Sequence, residues 1–361
     1  MPVPVAILTP VIVAWSATAG AQGTELIRQA SFELRNELTV TVPRGARRVR
    51  VWMAMPQDND PAQQVRGLDI RAPYPHQVEM DSEGSRLLYL EVRNPTVTEF
   101  TIVQTFGLTR SEVRDPIDPR SARPLTDAER QSFAKYLAPN KHVVIDGAIR
   151  RLAAEIVGDE TNPVLAARLL YDWVLYNVDH WVKAPRTRQA SSMGSSTHAL
   201  NLRTGDCADF QSLWTALARA RGIPSQIVYG ALLEPDLAGR AADVGVHCWA
   251  EFYAAGLGWL HHDVAVADLY EGTYPVTVAN ERLVRRHTPD GTYGADQSRI
   301  DHYFGTLDER RVVFSRNRDL LLSPPAEGQA VNVLAKAYVE VDGRVHPEGP
   351  GWTRTLTYRE R

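Results

Sequence analysis

Cys207 follows Gly205-Asp206 and opens the run ADFQSLWTALARA, in which Phe210, Leu213, Trp214 and Leu217 recur at helical spacing. The chain has only two cysteines in 361 residues. A thiol at the amino end of a helix meets unpaired backbone N–H groups and the positive end of the helix dipole, and both favour the thiolate. The same N–H groups can hold the oxyanion formed when a thiolate attacks a carbonyl. His247 begins VHCWAEFYA, whose alternation puts Val246, Cys248, Ala250 and Phe252 on one face and His247, Trp249, Glu251 and Tyr253 on the other. Asp263 closes the next strand, GWLHHD, across a hairpin turn near Gly256. Symmetry about that turn places Asp263 within a couple of residues of the position opposite His247. Neighbouring strands lie about 4.8 Å apart, so a carboxylate there can touch the imidazole and fix its tautomer. Cys207, His247 and Asp263 thus form a candidate nucleophile, general base and orienting acid.

Other readings of the same residues stay open. Cys207 and Cys248 are candidates for one structural disulfide if the chain is exported. Alternation opposes it, because Cys248 is expected to point away from whatever His247 addresses, and the two thiol vectors then diverge. Cys207 as a small buried hydrophobe, His247 as a core histidine and Asp263 as a turn residue are the bland alternatives. His261 and His262 beside Asp263 invite a zinc site of Cys207, His247 and Asp263. No H-x-x-x-H or C-x-x-C spacing supports it, so no metal is expected. His198, in the small polar stretch 185–200, is expected to be a solvated loop residue.

The segments G-D-C-A-D-F at 205–210, R-G-I-P at 221–224, H-C-W-A-E-F-Y at 247–253 and G-W-L-H-H-D at 258–263 resemble the transglutaminase-like superfamily, within the papain-like cysteine fold. Y-F-G-T-L-D-E-R-R-V at 303–312 and R-N-R-D-L at 316–320 look like a stretch common in bacterial exported members. The resemblance covers about residues 140 to 320 and implies Cys207 as nucleophile, His247 as base and Asp263 as orienting acid. It implies an amide-bond enzyme working through a thioester. Hydrolysis, as a peptidase or amidase, is the first expectation. Amine transfer by a transglutaminase is the alternative, and a binding or assembly module with a relic triad is a third. Two departures stand out. Cys248 replaces a small residue and is a candidate for oxidative regulation. Gln211 stands where exported relatives often carry His, and is a candidate substrate contact. An upstream aromatic or amide side chain, Trp181 or Asn177, is implied as an aid to the oxyanion. No calcium loop of D-x-[DN]-x-[DN]-G type is present, and no cofactor is expected.

These residues need elements to carry them. The fold class expected is α+β: helices packed on an antiparallel sheet, preceded by a small β-sandwich. Segments FELRNELTVTV, RRVRVWMAM, RLLYLEVR and EFTIVQTF alternate apolar and polar residues between turn clusters, which gives a sandwich with its linker at 22–125. The catalytic core is expected at 126–324. It starts with a capping box at Thr126 to Glu129 and includes a helix capped by Asn162-Pro163. Residues 325–361 are expected as a C-terminal hairpin pairing AKAYVEVDG with WTRTLTYRER. Residues 1–21 carry no charged side chain and end in Ala19-Gly20-Ala21, an A-x-A pattern. They are expected to be a signal peptide, so the mature chain is periplasmic or secreted without a membrane span; a retained anchor is the alternative. A net charge of −3 with no long run of one sign excludes a nucleic-acid surface, leaving a protein or peptide substrate. Oligomeric state is not legible.

Overall fold

Alternating residues near the start become strands because one side of each is apolar. On β1 (Gln29–Thr41), Phe32, Leu34, Leu38 and Val40 are buried while Glu33 and Arg35 face solvent. β6 (Glu99–Ser111) follows the same rule, whereas β2 (Arg48–Ala54) and β5 (Arg86–Arg93) are buried on both sides, each facing two cores; β3 (Gln63–Arg71) and β4 (His76–Met80) lie between them in sequence. β3 and β4 are not evident from sequence, because both are largely exposed and lack a clear apolar side. The computed structural model describes residues 27–361 except 241, 242, 244, 273 and 329. The expected signal peptide, 1–21, lies outside the described residues.

A strap carrying β7 (Val113–Arg114) leads to helices α1 (Asp127–Ser132), α2 (Ala134–Leu137), α3 (Gly147–Val157) and α4 (Pro163–Asn177). The Thr126–Glu129 capping box forms, and Asn162 caps α4 by accepting from the amides of Val164 and Leu165. Next come β8 (Asp179–His180), α5 (Ser196–Leu202), β9 (Thr204–Gly205) and α6 (Cys207–Ala220). The stretch 185–200, expected as loop, ends inside α5, because Ser195 accepts from the amide of His198 and so starts a helix. α6 ends before Gly222, whose φ of 77° lets the chain turn off the helix.

The core sheet consists of β10 (Ser225–Leu232), β11 (His247–Ala254), β12 (Gly258–His262) and, after α7 (Val264–Ala267), α8 (Glu281–Arg285), α9 (Gln297–His302) and β13 (Thr306–Leu307), β14 (Arg311–Arg316). The sheet is antiparallel in the order β12-β11-β10-β14. α6 lays Phe210, Leu213, Trp214 and Leu217 on Ile227, Tyr229, Ala250 and Phe252, which buries the apolar stripe and fixes the helix over the sheet. The pattern GWLHHDVAV continues as strand only to His262. Asp263 then caps α7 by accepting from the amide of Val266.

The C-terminal strands differ from the expected hairpin. β15 (Ala337–Val341) pairs with β16 (Arg344–Val345) and β2, whereas β17 (Trp352–Glu360) pairs with β1. They complete the two sandwich sheets, β17-β1-β6-β3 and β16-β15-β2-β5-β4. β1 and β2 would otherwise expose unpaired edges, and the tail closes both. Local alternation cannot reveal such distant partners. The sandwich also shares a hydrophobic cluster with the core sheet: Phe32, Trp52 and Leu356 pack with Ala231, Leu233, Val312 and Phe314. The molecule is therefore α+β, a helix-on-sheet core joined to a β-sandwich.

The strap is fastened by charge. His261 Nδ1 lies 3.1 Å from Asp115 Oδ1, and its Nε2 lies 3.5 Å from Glu251 Oε1. Burial alone would lower the proton affinity of His261, but hydrogen bonds to Asp115 and Glu251 raise its pKa to about 10. A folded-state pKa above the unfolded value stabilises below the unfolded pKa, and the benefit is lost as pH rises through the folded one. The unfolding free energy from urea melts is therefore expected to fall on the order of 2 kcal/mol more for wild type than for His261→Gln between about pH 7 and 10. Equal slopes for the two proteins contradict the assignment.

Candidate active site

Cys207 is the first residue of α6, and Asp206 is its N-cap. Asp206 Oδ1 accepts from the amides of Ala208 and Asp209 at 2.9 and 3.1 Å, while Asp209 Oδ2 accepts from the amide of Asp206 at 3.0 Å. Buried Asp209 also takes the amides of Ser191 and Ser195, which ties the preceding loop to the helix start. Gly205 is required here, since a Cβ on it would sit 2.3 Å from that of Asp209. This arrangement corrects one expectation. Two first-turn amides that a bare helix end would offer to an oxyanion are taken by the Asp206 cap, and the amide of Cys207 itself lies outside the cap.

His247 opens β11, with Nε2 2.7 Å from Asp263 Oδ2. The imidazole also interacts with the Cys207 thiol. Register explains the meeting: Ala250 pairs with His262, so Asp263 falls opposite Trp249, two residues from His247. The three predicted site residues are thus brought together. Asp263 is fully buried. Its Oδ2 also accepts from Arg311 Nη1 at 2.6 Å, and its Oδ1 from Gln211 Nε2 at 3.4 Å and the amide of Val266 at 3.2 Å. Gln211 is therefore a buried support of the acid, and the expected substrate contact is corrected. Arg311 is the partner that sequence reasoning missed. The signal for Arg311 was the paired arginines inside the apolar strand pattern RRVVF.

Cys248 is placed differently from expectation. Its thiol interacts with that of Cys207, and both are free. Alternation assigns sides of a strand well along its length. At the start of β11, however, both His247 and Cys248 interact with the Cys207 thiol. Hydrogen bonding from Cys248 and the His247 charge hold the Cys207 thiol well below its ordinary pKa despite its partial burial. Burial would lower His247, yet the Asp263 carboxylate and the thiolate raise it to about 9. Burial would raise Asp263, yet His247 and Arg311 hold it well below the usual carboxylate range. The arrangement thus favours a thiolate–imidazolium pair at neutral pH.

The remaining candidates lie elsewhere. Asn177 is exposed and donates to the carbonyl of Trp173, and Trp181 packs with Val182, Leu269 and Val284; these positions give no support to an oxyanion role. The neighbour sequence reasoning overlooked is His180, paired opposite Gly205 and 5.9 Å from the Phe210 ring. His261 faces the strap, and His262 lies in the core 4.0 Å from Trp214. His198, half-buried on α5, meets the carbonyl of Gln189 at 3.0 Å. Among the described residues no group of three His, Cys, Asp or Glu side chains is arranged to hold a metal.

Comparison with known proteins agrees with this architecture. Residues 150–264 match the family described as Transglutaminase-like superfamily. An uncharacterised protein of Haemophilus influenzae is 25% identical over 342 residues, 86% of each chain. The crystal structure of a candidate cysteine protease from Cytophaga hutchinsonii is 16% identical; the match covers 92% of this chain and 100% of that one, with a TM-score of 0.54. At that identity the likeness shows a shared fold.

Replacing Asp263 tests the assembly. Asp263→Asn removes the charge that holds His247 protonated. Alkylation of Cys207 by iodoacetamide at about pH 6, followed by mass spectrometry, is expected to slow about a hundredfold. Gln211→Leu, which removes only a long hydrogen bond, is expected to change the rate less than about threefold. Equal rates in wild type and Asp263→Asn contradict the site.

Proposed function

We propose that this chain, whose core is transglutaminase-like, is an exported thiol enzyme acting on amide bonds through a Cys207–His247–Asp263 triad. The observation that carries the reading is one imidazole bonded at 2.7 Å to a buried carboxylate while it interacts with a thiol at a helix start. The Cys207 thiolate adds to a carboxamide or peptide carbonyl. The amide of Cys207 supports the resulting oxyanion. As the C–N bond breaks, the His247 imidazolium gives its proton to the leaving amine, and a thioester remains. Water, deprotonated by His247, then attacks the thioester and regenerates the thiol.

Hydrolysis is the first reading because Cys207 is partly exposed while His247 and Asp263 are buried. A thioester there is open to water, so the protein acts as a peptidase or amidase on a protein or peptide substrate. Transfer to an amine such as lysine shares the first half-reaction, and only a site that excludes water would favour it. Export rests on residues 1–21. Among the described residues no helix is long and apolar enough to cross a membrane.

The test is incubation with a glutamine-containing peptide, with and without an added primary amine, read by mass spectrometry. Deamidation or cleavage is expected in both arms, and Cys207→Ala is expected to lower it by about a thousandfold or more. Conjugation that displaces hydrolysis would assign the chain to amine transfer. Undiminished turnover by Cys207→Ala would contradict the thiol mechanism.

A further inference from the structure

The family match ends at residue 264, yet the acid of the proposed triad is completed from beyond it. Arg311 is fully buried on β14, and its Nη1 shares Asp263 Oδ2 with His247, at 2.6 and 2.7 Å. The rest of its fork, Nε and Nη2, lies 2.9 and 2.7 Å from Asp308 Oδ2. Its guanidinium sits 5.1 Å from the Trp249 ring, the residue that stacks on His247. The result is a buried row of alternating charge: imidazolium, carboxylate, guanidinium, carboxylate. We propose that Arg311 is a positioning residue of this site, aiming the Asp263 carboxylate at His247 and balancing its charge, and that the sandwich domain sets the site through the strand carrying Arg311. This rests on the triad reading above.

Two arguments carry it. The first is the shared oxygen. An arginine needed only to neutralise Asp308 has its partner in the Nε/Nη2 fork. The additional bond from Nη1 fixes the plane of the Asp263 carboxylate and brings a permanent cation to the atom the imidazole uses. That cation opposes protonation of His247, so the imidazolium is held less tightly than by a bare carboxylate and can surrender its proton to a leaving amine. The second is the clamp on β14, an edge strand of the core sheet. The amide of Val313 donates to Gln63 Oε1 at 2.8 Å, and the carbonyl of Val313 accepts from the amide of Gln57 at 3.0 Å. Arg310, next in the chain, forms a bidentate pair with Glu360 of β17 at 2.8 Å for both bonds. The sandwich thereby fixes the register that delivers Arg311 to Asp263.

The test uses the full chain. In Arg311→Met with Asp308→Asn, both charges leave together and no ion is stranded. The ring signals of His247, labelled with nitrogen-15, give its titration midpoint by NMR whether or not a substrate is known. That midpoint is expected to rise by about one pH unit in the double variant and to shift less than about 0.3 in Arg311→Lys, which keeps the charge. The other titratable groups facing this row, Cys207, Cys248, His180, His262, His287, Glu234, Arg110, Tyr171 and Tyr303, are present in both. Arg311→Lys loses the fork, so kcat is expected to fall about tenfold with KM unchanged. Gln63→Ala, which removes no charge, is expected to lower kcat about threefold. An unmoved midpoint in a folded double variant overturns the proposal. So does full kcat in both Arg311→Lys and Gln63→Ala, which stands even if the double variant fails to fold. Loss of the triad reading alone would show as no amide turnover in wild type, with the His247 shift still present.

Discussion

A carboxylate with no exposure to water must be met by donors and by positive charge, or it takes up a proton. Asp263 is such a group, and the structure around it is the supply of those partners. β11 brings His247, β14 brings Arg311, α6 brings Gln211 and α7 brings a backbone amide. Four elements from distant parts of the chain are therefore fixed relative to one another by a single side chain. Ionised Asp263 favours the charged imidazole, and the Cys248 hydrogen bond together with that imidazole favours the thiolate of Cys207.

The helix start contributes through geometry more than through free amides. The Asp206–Asp209 capping box occupies the donors next to Cys207, so the thiol depends on Cys248 and His247 for its low proton affinity. One of these is a second thiol. Burial and the adjacent Cys207 push Cys248 well up, so Cys248 keeps its proton and can donate it in a hydrogen bond to the thiolate. A residue that looked like a disulfide half in sequence acts here as a donor.

Much of this was legible beforehand, for local reasons. The apolar spacing of Phe210, Leu213, Trp214 and Leu217, the Thr126 and Asn162 caps and the turn at Gly256 are properties of short segments, and they gave α6, α1, α4 and the β11–β12 hairpin. The proximity of His247 and Asp263 followed from counting outward from that turn. What could not be read depended on partners far away in the chain. The pairing of β17 with β1, the placement of Arg311 against Asp263 and the contact of Asp115 with His261 join segments from 48 to more than 300 residues apart. The alternation rule misjudged Cys248, whose thiol meets that of Cys207 next to the first residue of β11.

The account turns on Cys207 being ionised because of its neighbours. Titrating thiolate ultraviolet absorbance, as the difference between wild type and Cys207→Ser, measures this directly. The predicted midpoint lies at least about two units below the ordinary value for a cysteine, near 8.5, and moves back toward that value when His247 is replaced by alanine. A midpoint at or above the ordinary value, unaffected by that replacement, would contradict it.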